Sequence, residues 1–210
     1  MKMILLGAPG AGKGTQAEIL SKSMNIPSIS TGNILREAMK NGTPVGAVAK
    51  VYVEAGKLVP DEVIIGIVRE RLEAPDCANG FILDGVPRTI PQAEAIDGSG
   101  IVFDAALCLE VSDEEIIARM SGRRTCSGCS AVYHIKNNPP REDGVCDVCG
   151  EGLSIRHDDE PETVKVRLDA YHRETEPLKG FYNGKGILHT VISRPTIAET
   201  TAVIKEALGI

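Results

Sequence analysis

Hydrophobic residues along the chain fall into short runs, separated by longer stretches with helical periodicity. Five runs have the length of buried strands: residues 2–6, 27–29, 81–83, 105–111 and 187–191. The first run ends at Gly7 and the third at Asp84-Gly85, and these residue types favour turns. We therefore predict five short buried strands.

The stretches between these runs carry apolar residues three and four positions apart, which is typical of helices. Thr43-Pro44 has the form of a helix start, and the sequences from Ser112 and from Thr196 have the spacing of a capping box. The predicted helices begin near residues 13, 43, 61, 113, 161 and 197. Strands that alternate with helices indicate an α/β fold, in which helices cover both faces of a parallel sheet.

One stretch, residues 122–159, breaks this pattern. It is rich in glycine, contains Pro139-Pro140 and holds four of the six cysteines. We expect an inserted module that is stabilised separately from the hydrophobic core of the α/β fold.

Composition narrows the class of protein. The chain has 210 residues, of which 42% are hydrophobic and 25% charged, so a packed core is expected. No apolar run approaches the ~18–20 residues of a membrane span, and no signal-peptide pattern is seen, so we expect a cytoplasmic protein. A net charge of -6, with 3% aromatic residues and no Trp, argues against nucleic acid as the main partner.

A glycine-rich loop, Gly7-Ala8-Pro9-Gly10-Ala11-Gly12-Lys13-Gly14-Thr15, joins the first strand to the first helix. This is the context of a Walker A loop, in which backbone N–H groups and the helix N-terminus bind phosphate. Gly14 separates Lys13 from Thr15, whereas the strict motif has the hydroxyl residue next to the lysine. Asp84, at the end of another strand, is predicted to hold Mg²⁺ through water.

The four cysteines of the inserted module, Cys126, Cys129, Cys146 and Cys149, form two Cys-x2-Cys pairs. Four thiolates in this spacing favour a structural metal site, which we assign to Zn²⁺, although iron also occupies such sites. Two disulfides or four free thiols are the alternatives. His134 is expected to stay outside the metal site, and Cys77 and Cys108 are expected to be a loop thiol and a core residue.

Further motifs follow the phosphate loop in a fixed order. They are Ser30-Thr31-Gly32-Asn33-Ile34-Leu35-Arg36, Asp84-Gly85-Val86-Pro87-Arg88-Thr89-Ile90-Pro91-Gln92, Gly122-Arg123-Arg124, Arg156-His157-Asp158-Asp159 and Val166-Arg167-Leu168. Together they resemble the adenylate kinase family, in its long-lid type, over the whole chain. The family usually carries Asp at the position of Asn33 and Phe at the position of Val86, and both departures concern substrate affinity.

The resemblance implies a P-loop NTPase-type core, a parallel β-sheet flanked by helices, with two mobile parts. The core would comprise 1–29, 60–121 and 160–210, the helical AMP-binding segment 30–59, and the zinc-binding, zinc-ribbon-like lid 122–159. It also implies the reaction ATP + AMP = 2 ADP with Mg²⁺. The partners would be ATP, AMP and ADP rather than nucleic acid or a membrane, and the enzyme would be a monomer.

The resemblance further implies the roles of individual residues. Residues placed around AMP are Thr31, Arg36, Lys57, Leu58, Val59, Gly85, Val86, Pro87, Arg88 and Gln92. Residues placed around ATP are Gly10, Ala11, Gly12, Lys13, Gly14, Thr15, Arg119, Arg123, Val132, Tyr133 and Arg194. The catalytic residues would be Lys13, Arg88, Arg123, Arg156 and Arg167, because phosphoryl transfer requires cations where negative charge spreads.

Three alternatives remain open at this stage. The chain could phosphorylate another nucleoside monophosphate or use GTP as donor. It could be an ATP-dependent nucleic-acid-binding module with a zinc ribbon, although residues 122–159 hold six acidic against five basic residues. It could also bind nucleotide without turnover. Asp158-Asp159 is either a charge pair before a helix or a set of partners for the lid.

Overall fold

The computed structural model describes residues 1–210. A five-stranded sheet forms its centre, with β1 (Lys2–Gly7), β2 (Ser28–Ser30), β3 (Phe81–Asp84) and β4 (Ala105–Glu110) as the first four strands in the chain. Three short strands follow outside this sheet: β5 (Arg123–Cys126), β6 (Val132–His134) and β7 (Leu153–Ser154). The last strand, β8 (Leu188–Ile192), returns to the central sheet. The spatial order is β2-β3-β1-β4-β8, and every neighbouring pair is parallel.

Nine α-helices connect and flank these strands. They are α1 (Lys13–Met24), α2 (Thr31–Lys40), α3 (Pro44–Glu54), α4 (Asp61–Leu72), α5 (Ile90–Asp97), α6 (Asp113–Gly122), α7 (Pro161–Ala170), α8 (Leu178–Gly184) and α9 (Ile197–Leu208). No helix has the length and apolar content that crossing a bilayer requires.

Both faces of the central sheet are buried, as the apolar runs predict. Alternate residues of β1 enter different cores: Ile4 and Leu6 join a cluster of 19 buried residues, and Met3 and Leu5 join a second cluster of 17. The alternation follows from the two-residue period of a strand. The α/β class predicted from the sequence is confirmed.

Several elements differ from the sequence prediction. The helices α5 and α8 were not predicted, because with eight and seven residues each has too few turns for a clear periodic pattern. The helix α2 was covered only by the expectation that residues 30–59 are helical. The capping box is complete at Thr196 and Glu199. At Ser112 only one half forms, since the Glu115 carboxylate binds Arg119 instead of the Ser112 backbone.

Between α6 and α7 the chain forms a second, three-stranded sheet, which makes a small unit outside the central sheet. The strand β5 pairs antiparallel with β6 on one side and with β7 on the other. Its apolar centre is small and consists of Cys126, Tyr133 and Cys146. So small a core supplies little hydrophobic stabilisation, and the cysteines are the main structural feature of this unit.

Tyr182 provides a test of the packing in the larger core. Its side chain is fully buried, and its hydroxyl has no hydrogen-bond partner. Burial also raises the pKa of Tyr182. Because an unpaired buried hydroxyl costs free energy, Tyr182→Phe should leave the free energy of unfolding unchanged or raise it by up to about 1 kcal/mol in urea titrations.

Tyr133→Phe is the matched contrast, because the Tyr133 hydroxyl accepts a hydrogen bond from the Asp147 N–H at 2.8 Å. That variant should lose about 1 kcal/mol. A comparable loss in Tyr182→Phe would show that the Tyr182 hydroxyl does have a partner.

Candidate active site

The glycine-rich loop between β1 and α1 has the backbone of a phosphate site. Gly7, Gly10 and Gly12 adopt positive φ angles of 136°, 84° and 99°. A Cβ at Gly7 would lie 2.5 Å from the Leu109 carbonyl oxygen, so this position requires glycine. Lys13 turns back on the loop, and its Nζ donates to the carbonyl oxygens of Gly7 at 2.7 Å and Ala8 at 2.9 Å.

Lys13 lies in an environment that disfavours its charge. Burial lowers the pKa of Lys13 to about 8, against the opposing attraction of Asp84, and Arg88 and Arg167 lower it further. A phosphate group beside the ammonium would reverse this shift. The site is therefore arranged for a bound anion.

Five arginines converge on the same cavity as Lys13. They come from five separate places in the chain: Arg36 on α2, Arg88 after β3, Arg123 on β5, Arg156 after β7 and Arg167 on α7. Burial lowers the pKa of each of Arg36, Arg88, Arg156 and Arg167, to about 9 for Arg156. The Nε of Arg36 is buried without a hydrogen-bond partner.

Two carboxylates, Asp158 and Asp159, neutralise part of this charge. Arg123 Nε donates to Asp159 at 2.7 Å, and a second, shorter contact joins the same two side chains. Arg167 contacts Asp158 Oδ2 at 2.7 Å and Asp159 Oδ1 at 3.3 Å. Burial acts to raise the pKa of Asp158, but Arg167, Arg123 and Arg156 outweigh it and hold that pKa below its usual value.

The two aspartates were not among the predicted site residues. Their position between Arg156 and Pro161 had left two interpretations open. Both residues are buried: Asp158 pairs with Arg167 on the following helix, and Asp159 pairs with Arg123 on β5 as well as with Arg167. These contacts favour the interpretation as bonding partners of the site arginines. Their sequence signal was two adjacent acids beside a motif arginine.

The backbone around Arg88 is fixed from two sides. Its N–H donates to Gln92 Oε1 at 2.8 Å, and its carbonyl accepts from the Thr175 hydroxyl at 2.8 Å. Thr175 ends a π-helical segment, Tyr171–Thr175, that continues α7. The guanidinium Nε donates to the Gly85 carbonyl at 2.8 Å, so the remaining nitrogens are available to a ligand.

On the other side of the phosphate loop, Arg119 joins three elements. It donates to the Ala11 carbonyl at 3.1 Å and to the Ser193 hydroxyl at 3.0 Å, and it pairs with Glu115. Arg194 follows Ser193, and its side chain is exposed at the cavity wall. This wall continues through Pro195 to the start of α9.

A single cavity of about 1050 Å³ connects the phosphate loop, Lys13 and the arginines. It has the size of a site for one or two nucleotides. Of the residues predicted to bind substrate, only Val86 does not line it. Val86 is fully buried in the core, so its side chain supports the Arg88 loop from behind. Tyr133 lines the cavity wall, but its hydroxyl points to Asp147 and Cys146.

The four predicted metal ligands come together in the inserted unit. All four sulfur atoms lie within 4.8 Å of one another, with Cys126 to Cys149 at 3.4 Å and Cys129 to Cys146 at 3.6 Å. A tetrahedral site with zinc–sulfur bonds of ~2.3 Å has sulfur atoms ~3.8 Å apart, whereas disulfide sulfurs lie ~2.05 Å apart. All six cysteines are free thiols, and His134 is not part of the cluster. The donor set fits Zn²⁺.

The Asp84 side chain, predicted to hold Mg²⁺, has no protein partner at the phosphate loop. Its Oδ2 lies 3.5 Å from the position of a Cβ at Gly14, and its side chain makes no hydrogen bond or ion pair. Its backbone carbonyl, by contrast, accepts from Thr31. A carboxylate oxygen free of protein donors is a ligand that Mg²⁺ binds, directly or through water.

A parallel α/β sheet, a phosphate loop before α1 and arginines around one cavity define a P-loop phosphotransferase. The comparisons with known proteins specify the family. The adenylate kinase family model matches residues 5–187. An adenylate kinase of Caldicellulosiruptor bescii is 55% identical over 214 residues, 100% of both chains. Those of Lachnospira eligens, over 100% of both chains, and Carboxydothermus hydrogenoformans, over 99% of both, are each 52% identical. The chain belongs to the adenylate kinase family.

The lowered pKa of Lys13 predicts a proton uptake when nucleotide binds. An exposed lysine has a pKa of 10.5, whereas Lys13 in the site has a pKa of about 8. Between pH 8 and pH 10.5, Lys13 is therefore largely neutral, and a bound polyphosphate favours its protonation. Binding of an imido analogue of ATP at pH 8.5 should therefore take up a substantial fraction of a proton, and affinity should fall as the pH rises from 8 to 10.

The measurement is calorimetry at pH 8.5 in two buffers of different ionisation enthalpy. Arg156, whose pKa is also lowered, adds to the proton uptake on binding. At pH 7 both residues are already protonated, so the uptake should be close to zero. Equal binding enthalpies in the two buffers at pH 8.5 would contradict the prediction.

Proposed function

We propose that this chain transfers the γ-phosphoryl group of ATP reversibly to AMP, giving two molecules of ADP. The observation that carries the proposal is the continuity of one cavity. It runs from the phosphate loop, past the cation cluster, to Thr31 and Gln92. The relatives' printed name, adenylate kinase, supports the same reaction.

In this proposal the phosphate loop holds the donor. Backbone N–H groups of residues 10–15 bind the phosphates of ATP, and Lys13 moves from its contacts with Gly7 and Ala8 to the outer phosphates. Arg119, Val132, Tyr133 and Arg194 border the remaining part of the ATP site. When bound, Mg²⁺ neutralises charge on the phosphates, and Asp84 is the residue that would hold it.

The acceptor lies at the other end of the cavity. Arg36 and Arg88 bind the phosphate of AMP, and Thr31 is nearby, its hydroxyl donating to the Gly85 carbonyl at 3.0 Å. The walls around the base and ribose come from Lys57, Leu58, Val59, Gly85, Pro87 and Gln92. The choice of adenine would rest on main-chain contacts and on Thr31, Val59 and Gln92, whose side chains are buried at this wall.

The transferring group would pass between the two phosphate sites. Lys13, Arg88, Arg123, Arg156 and Arg167 surround this region, and their charges stabilise the charge that spreads over the transition state. No general base is required, because the attacking oxygen of AMP is ionised already. Arginine is suited to this position because its planar group binds phosphate through two hydrogen bonds and stays charged.

The two mobile parts would exclude water from this region. Residues 30–59 form the AMP-binding segment and residues 122–159 the lid, and the structure brings the two into contact. Lys40 Nζ donates to the Ser127 carbonyl at 3.1 Å. Gly56, at the end of the AMP-binding segment, packs against α7, which follows the lid in the chain. A Cβ at Gly56 would lie 3.1 Å from Thr163 and 3.2 Å from Arg167. Closure of both parts prevents hydrolysis of ATP.

The cavity is complete within one chain, which supports a monomeric enzyme. None of the six cysteines forms a disulfide, which is typical of the reducing cytoplasm. The net charge of -6 argues against nucleic acid as a partner, and ATP, AMP and ADP are the proposed partners.

ADP is the substrate that tests the reaction most simply. Incubated with magnesium and ADP alone, the protein should form equal amounts of ATP and AMP, measured by chromatography. Release of inorganic phosphate would indicate an ATPase, and unchanged ADP would contradict the proposal. Arg88→Ala should slow the reaction at least about 100-fold, because a charge at the transferring group is lost.

Arg124→Ala is the matched control for the loss of an arginine. Arg124 follows Arg123 in the chain, but it bonds only to the carbonyls of Ser121 and Arg123 and does not line the cavity. Its rate should stay within about twofold of the parent rate, since it is remote from the phosphates.

The four-cysteine cluster is proposed to hold one structural Zn²⁺. Elemental analysis of the purified protein should find one zinc per chain, and iron in its place would revise the assignment. Removal of the metal should lower Tm by about 5 °C or more, because the small core of residues 122–159 loses its main support. The initial rate at low temperature should change less.

Comparing Cys149→Ser with Cys77→Ser distinguishes loss of a metal ligand from loss of any cysteine. The first should lower metal content and Tm together, whereas the second, far from the cluster, should keep the zinc. An unchanged Tm after verified metal removal would contradict a structural role.

A further inference from the structure

Asp61, the first residue of α4, lies beside the side chain of Gln92. Gln92 Nε2 donates to Asp61 Oδ1 at 2.7 Å, and the Thr89 hydroxyl donates to Asp61 Oδ2 at 3.1 Å. Gln92 Oε1 accepts from the Arg88 N–H at 2.8 Å. Asp61 itself does not line the cavity, whereas Gln92 does.

These contacts fix which end of the Gln92 amide carries oxygen. An ionised carboxylate only accepts hydrogen bonds, and a backbone N–H only donates. The nitrogen must therefore face Asp61 and the oxygen must face Arg88. The reversed amide would place oxygen against carboxylate and N–H against N–H, which disfavours it twice.

One N–H and one lone pair of the Gln92 amide remain for a ligand. A 6-aminopurine offers an amino donor next to a ring acceptor, and it matches this pair through two hydrogen bonds. A 6-oxopurine presents an oxygen acceptor next to a ring N–H, and it matches only the reversed amide.

We propose that Asp61 is a positioning residue that sets the orientation of Gln92 and thereby makes the acceptor site select adenine over 6-oxopurines. The proposal rests on the proposed function, because it assigns the base of the acceptor to the wall that contains Gln92. Asp61 acts through Gln92 and Thr89 without touching the substrate.

A simpler role for Asp61 is as an acid at the N-terminus of a helix, where negative charge is favourable. Glu62 stands next to it in the same first turn of α4, is exposed, and its carboxylate makes no hydrogen bond or ion pair. Glu62→Ala therefore removes the same charge from the same helix end, and it is the matched control.

The experiment compares kcat/KM for AMP and for IMP, which carry the same ribose phosphate and differ in the base. Asp61→Ala should lower the AMP-to-IMP ratio about tenfold or more and raise KM for AMP, with KM for ATP changed less than twofold. Asp61→Asn keeps an acceptor for Gln92 and should retain the ratio within about threefold. Glu62→Ala should keep the parent ratio.

A double-variant cycle assigns the effect to Gln92. In a Gln92→Leu background, Asp61→Ala should leave the AMP-to-IMP ratio unchanged. If Asp61→Ala does not fold, Asp61→Ser takes its place, since its shorter hydroxyl cannot reach both Gln92 and Thr89.

An equal loss for AMP and IMP in the folded variant would overturn the proposal and leave Asp61 a structural role only. A lower ratio in Glu62→Ala would overturn it as well. A parent protein that forms no ADP from ATP and AMP would instead contradict the proposed reaction, so the two failures are distinguishable.

Discussion

The repulsion among buried cations around one cavity is the constraint on which the rest of the site depends. Lys13, Arg36, Arg88, Arg123, Arg156 and Arg167 all face the cavity. Asp84 and Asp158 also line it, and Asp159 pairs with Arg123 and Arg167. Burial lowers the pKa of Lys13 to about 8 and of Arg156 to about 9, so the ligand-free site is a costly arrangement. Bound polyphosphates reduce the repulsion among these cations. The stabilisation is greatest in the transition state, where negative charge spreads over the transferring group.

The fold supplies the rigidity that such an arrangement needs. The loop containing Lys13 is fixed by glycines against β4, and the loop containing Arg88 is held by Gln92 and Thr175. Arg123 and Arg156 belong instead to the inserted unit, which the cysteine cluster supports. The cations at the cavity therefore come from two parts of the fold, the core and the inserted unit, and the proposed closure of the lid would link water exclusion to assembly of the site.

Much of this arrangement could be predicted from the sequence, because strands buried on both faces leave apolar runs and phosphate loops leave glycines. The cysteine cluster was equally visible, since metal knuckles have a fixed spacing. The short helices α5 and α8 were not predicted, because eight and seven residues leave too little periodic pattern. The roles of Asp158, Asp159 and Asp61 depend on partners distant in the chain, such as Arg123 and Gln92, which no local pattern reveals. Motif position suggested a ligand role for Val86, and the structure places its side chain in the core.

Binding of a bisubstrate analogue, two adenosines joined by a chain of five phosphates, tests the central claim most directly. A single cavity whose cations bind both phosphate groups predicts one molecule bound per chain by calorimetry, displaced by ATP and by AMP alike. It also predicts a large rise in Tm that becomes smaller as salt is added, because salt screens the attraction between the free polyanion and the cationic cavity. Two molecules bound per chain, or displacement by ATP alone, would contradict the account.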